Sequence, residues 1–314
     1  MIATYISSPK CLLHSTPKDH PECPERLQAI QDRLVASGLD ALLYWRDATE
    51  AHEDDLLRVH TRTYLDSIQT ALPTDGDILY EGEVNLSKNS LLAARFAAGA
   101  VINGVDQILN QCTDVVFCGV RPPGHHANQT TAMGFCLINN IAVGAKYALD
   151  KMGLTRVAIV DFDVHHGNGT QDIFYDDPRV LFCSSFQHPF YPFTNVDDVP
   201  PHIINSKLDA TSTREDFHRV ITEQWLPALQ SFKPQLLFIS AGFDAYIDDD
   251  MSSLRLVEQD YFWVSKQLRN VMDNSQAGAE DEQCKGIISS LEGGYDLESL
   301  GRCVVAHIKG MAKL

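Results

Sequence analysis

Five short apolar runs recur along this chain: "DVVFCGV" (114–120), "RVAIVDF" (156–162), "RVLFCSS" (179–185), "QLLFISA" (235–241) and "GIISSL" (286–291). None alternates polar with apolar residues, as a strand with one wet face would. Unbroken runs of this length suit parallel strands covered on both sides. Helix-like stretches separate them. "LLAARFAAGAVINGVDQIL" and "INNIAVGAKYALDKMG" precede their strands, and the latter ends at Gly153, a C-cap signal. "TREDFHRVITEQWLPALQSF" opens at Thr213 with Asp216 three residues on, a start signal. Near the N-terminus Leu27, Ile30 and Leu34 share one helical face. The alternation predicts an α/β chain, a single domain over residues 1–314, with a central mainly parallel sheet flanked by helices. The polar stretch 273–283 reads as a surface loop before the last strand.

Four of the runs end in polar, glycine-bearing segments: "RPPGHHA", "DFDVHHGNG", "AGFDA" and "LEGGYD". Sites in open α/β sheets form outside the carboxyl ends of strands, so four such ends predict a shared site. After Val160 come Asp161, Asp163, His165 and His166, too many ionisable groups to bury without compensation. If the strand stays extended, Asp161, Asp163 and His165 point to one side and His166 to the other, as a structural histidine. Asp244 then completes an O/N/O set around one cation. Three protein ligands with positions left open describe a catalytic metal site; zinc is the first choice and Fe(II) stays open. Asp161 or Asp163 could instead cap the following helix or support a turn. The adjacent His125 and His126 need partners to set their tautomers, and Asp161 and Asn168 are available. Gly293 and Gly294 let the chain bend so that the Tyr295 phenol reaches a substrate carbonyl.

Composition removes several function classes. The formal charge is −17, which argues against direct binding to a nucleic-acid backbone and is compatible with cationic substrates. No window of about 18 apolar residues suggests a membrane span, and the opening residues lack a signal-peptide pattern. Eight scattered cysteines with no C-x-x-C pair read as buried small hydrophobes in a reduced, cytoplasmic setting.

Together, "HPECPERL", "RPPGHHA", "MGFCLINN", "DFDVHHGNGTQ", "SAGFDA" and "LEGGYD" resemble the metal-dependent histone deacetylase family, in the family's order and across almost the whole chain. "RPPGHHA" and Asn168 look like its class II and bacterial branch. The resemblance implies the arginase–deacetylase fold, with zinc on Asp163, His165 and Asp244. It implies a tandem histidine pair in which His125 is partnered by Asp161 and His126 by Asn168, where class I has aspartate. Tyr295 matches the family's catalytic tyrosine. Gly134 and Phe135 from "MGFC" and Tyr191 from "HPFYPF" would line an acyl-lysine tunnel, although Phe193-Thr194-Asn195 departs from the family's Gly-Thr-Gly. Met251 aligns with the position where polyamine-selective relatives carry glutamate. A monovalent cation, potassium, would sit beneath the zinc on Asp161, Asp163, His165 and Ser184. The activity implied is removal of acetyl groups from acetylated lysine in proteins or peptides. An acetylated polyamine is the alternative substrate, a non-catalytic acyl-lysine binder is the rival from another class, and a two-metal hydrolase lacks a second ligand set. The oligomeric state is left open.

Overall fold

A computed structural model describes residues 3–276, 278, 279 and 282–314. Among the described residues ten strands run β1 Ala3–Ser7, β2 Leu43–Asp47, β3 Asp77–Tyr80, β4 Val84–Ser87, β5 Val115–Cys118, β6 Val157–Asp161, β7 Val180–Gln187, β8 Ile203–Leu208, β9 Leu236–Ala241 and β10 Ile287–Leu291. Eight form one sheet in the order β2-β1-β5-β10-β9-β6-β7-β8, parallel throughout. β3 and β4 make a separate antiparallel hairpin.

The five apolar runs contain five contiguous strands, β5, β10, β9, β6 and β7, and every residue in these strands is buried. Helices cover both faces. Gly104 of the helix Ser90–Leu109 faces Ile288 and Val116. His307 of the helix Leu297–Ala312 bonds Ser289 Oγ at 2.8 Å. Ile288 and Ser289 are consecutive in β10, so the two helices lie on opposite sides of the sheet. Full burial of each Val, Leu or Ile contributes about 1.5–3 kcal/mol, and this sandwich is where that burial concentrates.

The helix signals hold where local chemistry makes them. Thr213 and Asp216 form a reciprocal capping box. Leu27, Ile30 and Leu34 are buried on the helix Glu25–Ala36. Gly153 adopts φ +77°, just past the end of the segment Asn140–Lys151. Two expectations fail. The stretch 273–283 is helical through Ser275, because the helix Glu258–Ser275 runs on with Met272 still buried beneath it; residues 277, 280 and 281 lie outside the described residues. β6 also stops at Asp161 and does not stay extended to His165.

Among the described residues no helix is long and apolar enough to cross a membrane. All eight cysteines are free, six of them buried.

Candidate active site

The strands that end in polar segments, β5, β10, β9 and β6, are neighbours in the sheet. Parallel pairing puts their carboxyl ends on one edge, within roughly 14 Å at ordinary strand spacing. The chain bends immediately after β6, and carboxylates stabilise the bend. Asp161 Oδ1 accepts from the Asp163 N–H at 3.1 Å, and Asp163 Oδ1 from the His165 N–H at 2.9 Å. Asp244 Oδ1 accepts from the Val164 N–H at 3.0 Å, fastening the β9 loop to the β6 loop. This local bonding, not strand pleating, is what turns Asp163 and His165 toward Asp244. Asp161 and Asp163 thus support a turn, and neither caps the following helix, whose N-cap is Gly167.

Donor atoms of Asp163, His165 and Asp244 lie within 4.8 Å of one another, and all three residues are buried. His165 Nδ1 is 3.0 Å from Asp163 Oδ1 and 3.1 Å from Asp244 Oδ2. Burial and the nearby Asp163 charge push the Asp244 carboxyl up to about 7, against the pull of His165. Two carboxylates crowded in a dry site favour a cation between them. The site also depends on close backbone approach. A Cβ on Gly293 would sit 2.2 Å from Asp244 Oδ2 and 2.6 Å from Asp163 Oδ2, so only glycine lets the β10 loop lie there and donate its N–H to Asp163 at 2.8 Å. A hard–borderline set of two carboxylates and one imidazole with open positions fits a divalent ion such as zinc or Fe(II).

The tandem histidines stand beside this cradle, ring centroids 4.0 Å apart. His125 Nδ1 meets Asp161 Oδ2 at 2.9 Å. Burial alone would lower its pKa, but Asp161 and Asp163 outweigh that and lift it to about 10. His126 Nδ1 meets Asn168 Oδ1 at 2.7 Å, and the Asn168 amide nitrogen faces His126 O and Met133 Sδ, so the amide oxygen accepts and Nε2 is left free. Burial, with the charges of His125 and His165, holds this imidazole well below its usual range. His166 is elsewhere, bonded to Thr194 Oγ1 and Asn205 Oδ1, as expected of a structural histidine.

A cavity of about 410 Å³ opens onto this floor, lined by His126, His165, Gly134, Phe135, Tyr191, Met251 and Tyr295, together with Glu83 and Phe190. Gly134 takes φ +52°, and its missing Cβ would fall 2.3 Å from His126 Cδ2. That permits the turn which swings Phe135 across from Tyr295, centroids 5.9 Å apart. Phe190 stacks on His165 at 5.4 Å, and Tyr191 meets His126 edge-on at 5.3 Å. Burial raises the Tyr295 pKa well above the ordinary phenol value, so its hydroxyl keeps its proton. Ser184 pairs with Asp161 across β6 and β7, and its Oγ is buried without a partner.

The sequence reading passed over four contributors. Phe190 was within reach, being Tyr191's neighbour in "HPFYPF". Glu292, inside the quoted "LEGGYD", is buried and accepts from the Gly124 and His125 N–H groups, anchoring the paired-histidine loop. Arg26 donates to the Gly294 and Glu292 carbonyls and lies 4.8 Å from the Tyr295 ring. Glu83 comes from the β3–β4 hairpin and accepts from the Tyr191 hydroxyl at 2.6 Å; nothing in its own sequence context marks it.

Comparison with known proteins gives a consistent picture. The histone deacetylase domain model matches residues 20–311. A probable deacetylase of Archaeoglobus fulgidus is 34% identical over 95% of this chain and 82% of its own length. The mouse polyamine deacetylase HDAC10 is 36% identical over 95% of this chain, but that match covers only 46% of the mouse protein. The type-2 histone deacetylase 2 of Dictyostelium discoideum is 35% identical over 96% of this chain and only 20% of its own length. The crystal structure of the HDA15 HD domain superposes with a TM-score of 0.90 at 32% identity, covering 99% of this chain and 88% of that one. Motifs, sheet order and relatives agree: this chain belongs to the histone deacetylase family.

Proposed function

We propose that this protein is a metal-dependent amidohydrolase that removes acetyl groups from N-acyl-lysine side chains of proteins or peptides, releasing acetate. The observation that carries this reading is one cavity floor that gathers a three-donor cation cradle, a tandem histidine pair held by Asp161 and Asn168, and the Tyr295 phenol. Asp163, His165 and Asp244 would hold zinc, or Fe(II) in its place. The chemistry such an ion supplies when bound is Lewis-acid polarisation of the acyl carbonyl and acidification of water. Asp161, Asp163, His165 and Ser184, whose hydroxyl is buried without a partner, would hold potassium, which would supply a structural positive charge.

Each residue then has a task. Phe135, Phe190 and Tyr191 enclose the methylene stem of the acyl-lysine and exclude bulk water, and Met251 and Gly134 complete the walls. His126 Nε2, neutral near pH 7, takes the proton from water as the water oxygen bonds to the acyl carbon. Tyr295 donates a hydrogen bond to the oxygen that becomes negative, a contact of about 2.7–4 kcal/mol where such donors have been removed. His126 returns the proton to the amine nitrogen as the C–N bond breaks. His125, held cationic on Asp161, stabilises the negative charge that builds up and keeps His126 in the base form.

A second reading, hydrolysis of small acetylated amines, has one observation behind it: the exposed Glu83 supplies the one carboxylate among the described residues lining the cavity. It would receive the free ammonium of an acetylated diamine. Glu83 can equally accept a peptide N–H, and Met251 adds no charge, so acyl-lysine is preferred. Metal analysis combined with kcat/KM for an acetyl-lysine peptide and for N-acetylputrescine tests both. Turnover of the peptide that is abolished by chelation and restored by zinc or iron supports the proposal. A large preference for the diamine overturns the substrate assignment, and turnover of neither overturns amide hydrolysis.

A further inference from the structure

Of the acidic run Asp248–Asp250 on the loop after β9, only Asp249 turns inward; it is 4% exposed while both neighbours face solvent. A buried carboxylate requires compensating donors. It has three, all backbone N–H groups. Oδ2 accepts from Tyr295 at 2.6 Å and Asp296 at 3.0 Å, and Oδ1 accepts from Met251 at 3.0 Å. Tyr295 sits on the loop after β10, and Met251 is a wall of the cavity. Arg26 grips the same β10 loop by the carbonyls of Glu292 and Gly294. The backbone carrying the phenol is thus held by its carbonyls from one side and by its N–H groups from the other.

Resting on the amide-hydrolysis reading, we propose that Asp249 is a positioning residue that sets the reach of the Tyr295 hydroxyl into the cavity and couples it to the Met251 wall. It touches no substrate. Its effect runs through the placement of Tyr295, and small misplacements of a reacting group are costly. The carboxylate suits the task because both oxygens accept, one facing each loop. An amide offers one acceptor and would turn N–H donors on the other side.

Asp249→Ala and Asp249→Asn, each alone and in a Tyr295→Phe background, test this. Asp249→Ala should lower kcat roughly 10- to 100-fold with KM nearly unchanged, and Asp249→Asn, which keeps one acceptor, should lose less. In the Tyr295→Phe background neither should lower kcat further. Equal losses in both backgrounds, or an effect on KM alone, would overturn the proposal. Should Asp249→Ala not fold, Asp249→Asn carries the same comparison. A readout independent of turnover is ¹⁹F NMR of protein labelled with 3-fluorotyrosine, the Tyr295 signal being assigned by its disappearance in Tyr295→Phe. That signal should shift or broaden in Asp249→Asn, and an unchanged signal overturns the clamp. Wild-type protein that cleaves neither substrate sinks the amide-hydrolysis reading, and the fluorine signal still decides the clamp.

Discussion

The two adjacent imidazoles are pushed in opposite directions: burial and the charges of His125 and His165 lower the pKa of His126, whereas Asp161 and Asp163 outweigh burial and raise that of His125. Asn168→Asp would place a carboxylate against His126 Nδ1. A carboxylate favours imidazolium, so the pKa of His126 rises and its proton leaves only at higher pH. The acidic limb of kcat/KM against pH should therefore move upward by about one unit or more, with the rate recovering above it. A limb that stays in place would assign that ionisation to another group. Tyr295 is the other single-atom case. Tyr295→Phe removes one hydroxyl and leaves Asp163, His165 and Asp244 intact, so kcat should fall roughly 10²–10³-fold with metal content unchanged by elemental analysis. Activity near wild type would remove the phenol from the chemistry.

Loops, not strands, set the ligand geometry. The strand runs were legible because burial on both faces demands unbroken apolar sequence. β1, β2 and β8 were not recognised. β2 is an edge strand with only Leu43 buried, and β8, the other edge, interleaves buried and partly exposed residues. Turn support by Asp161 and Asp163 was legible as an alternative to an extended strand, but the third tie of the bend was not, since its N–H donor lies 80 residues away from the Asp244 carboxylate. The β10 loop lies against two carboxylates only because residue 293 has no Cβ. Gly293→Ala should displace Asp163 and Asp244, so zinc bound per chain after dialysis should drop well below that of wild type while the far-ultraviolet circular dichroism is retained. Full occupancy would show that the loop has room to move.

Across the molecule, the N-terminal segment fastens the active-site loops together. Glu22 is fully buried; its Oε1 meets Arg121 Nε at 2.5 Å and Arg26 Nη1 at 3.3 Å. Arg121 begins the paired-histidine loop and Arg26 supports the Tyr295 loop, so one carboxylate joins two parts of the site. Burial would raise the Glu22 pKa, but Arg121 and His14 outweigh it and hold the carboxyl far below the usual range. A depressed folded pKa means the unfolded chain binds the proton more readily. The stabilisation is complete above the ordinary carboxyl pKa, about 4.3, and is lost as pH falls below it. Glu22→Gln leaves buried guanidinium groups uncompensated and should cost about 3–5 kcal/mol at pH 7, measured by denaturant unfolding. The gap between variant and wild type should narrow as the pH is lowered through 4; a constant gap would show that Glu22 contributes by packing alone.

What the sequence determined by itself is the five contiguous strands β5, β10, β9, β6 and β7 and the chemistry at the ends of four of them. Each residue of the candidate site follows an apolar run within a few residues, and parallel strand direction brings His125, His126, Asp163, His165, Asp244 and Tyr295 to one edge of the sheet. Only the tertiary structure decided what holds and encloses them. Arg26 reaches the Gly294 carbonyl across 268 residues, Glu83 reaches Tyr191 across 108, and Asp249 reaches Tyr295 across 46. The pairing itself leaves no local pattern, even where one partner lies in a quoted motif, because Arg26, Glu83 and Asp249 meet their partners only when folding removes water from between them.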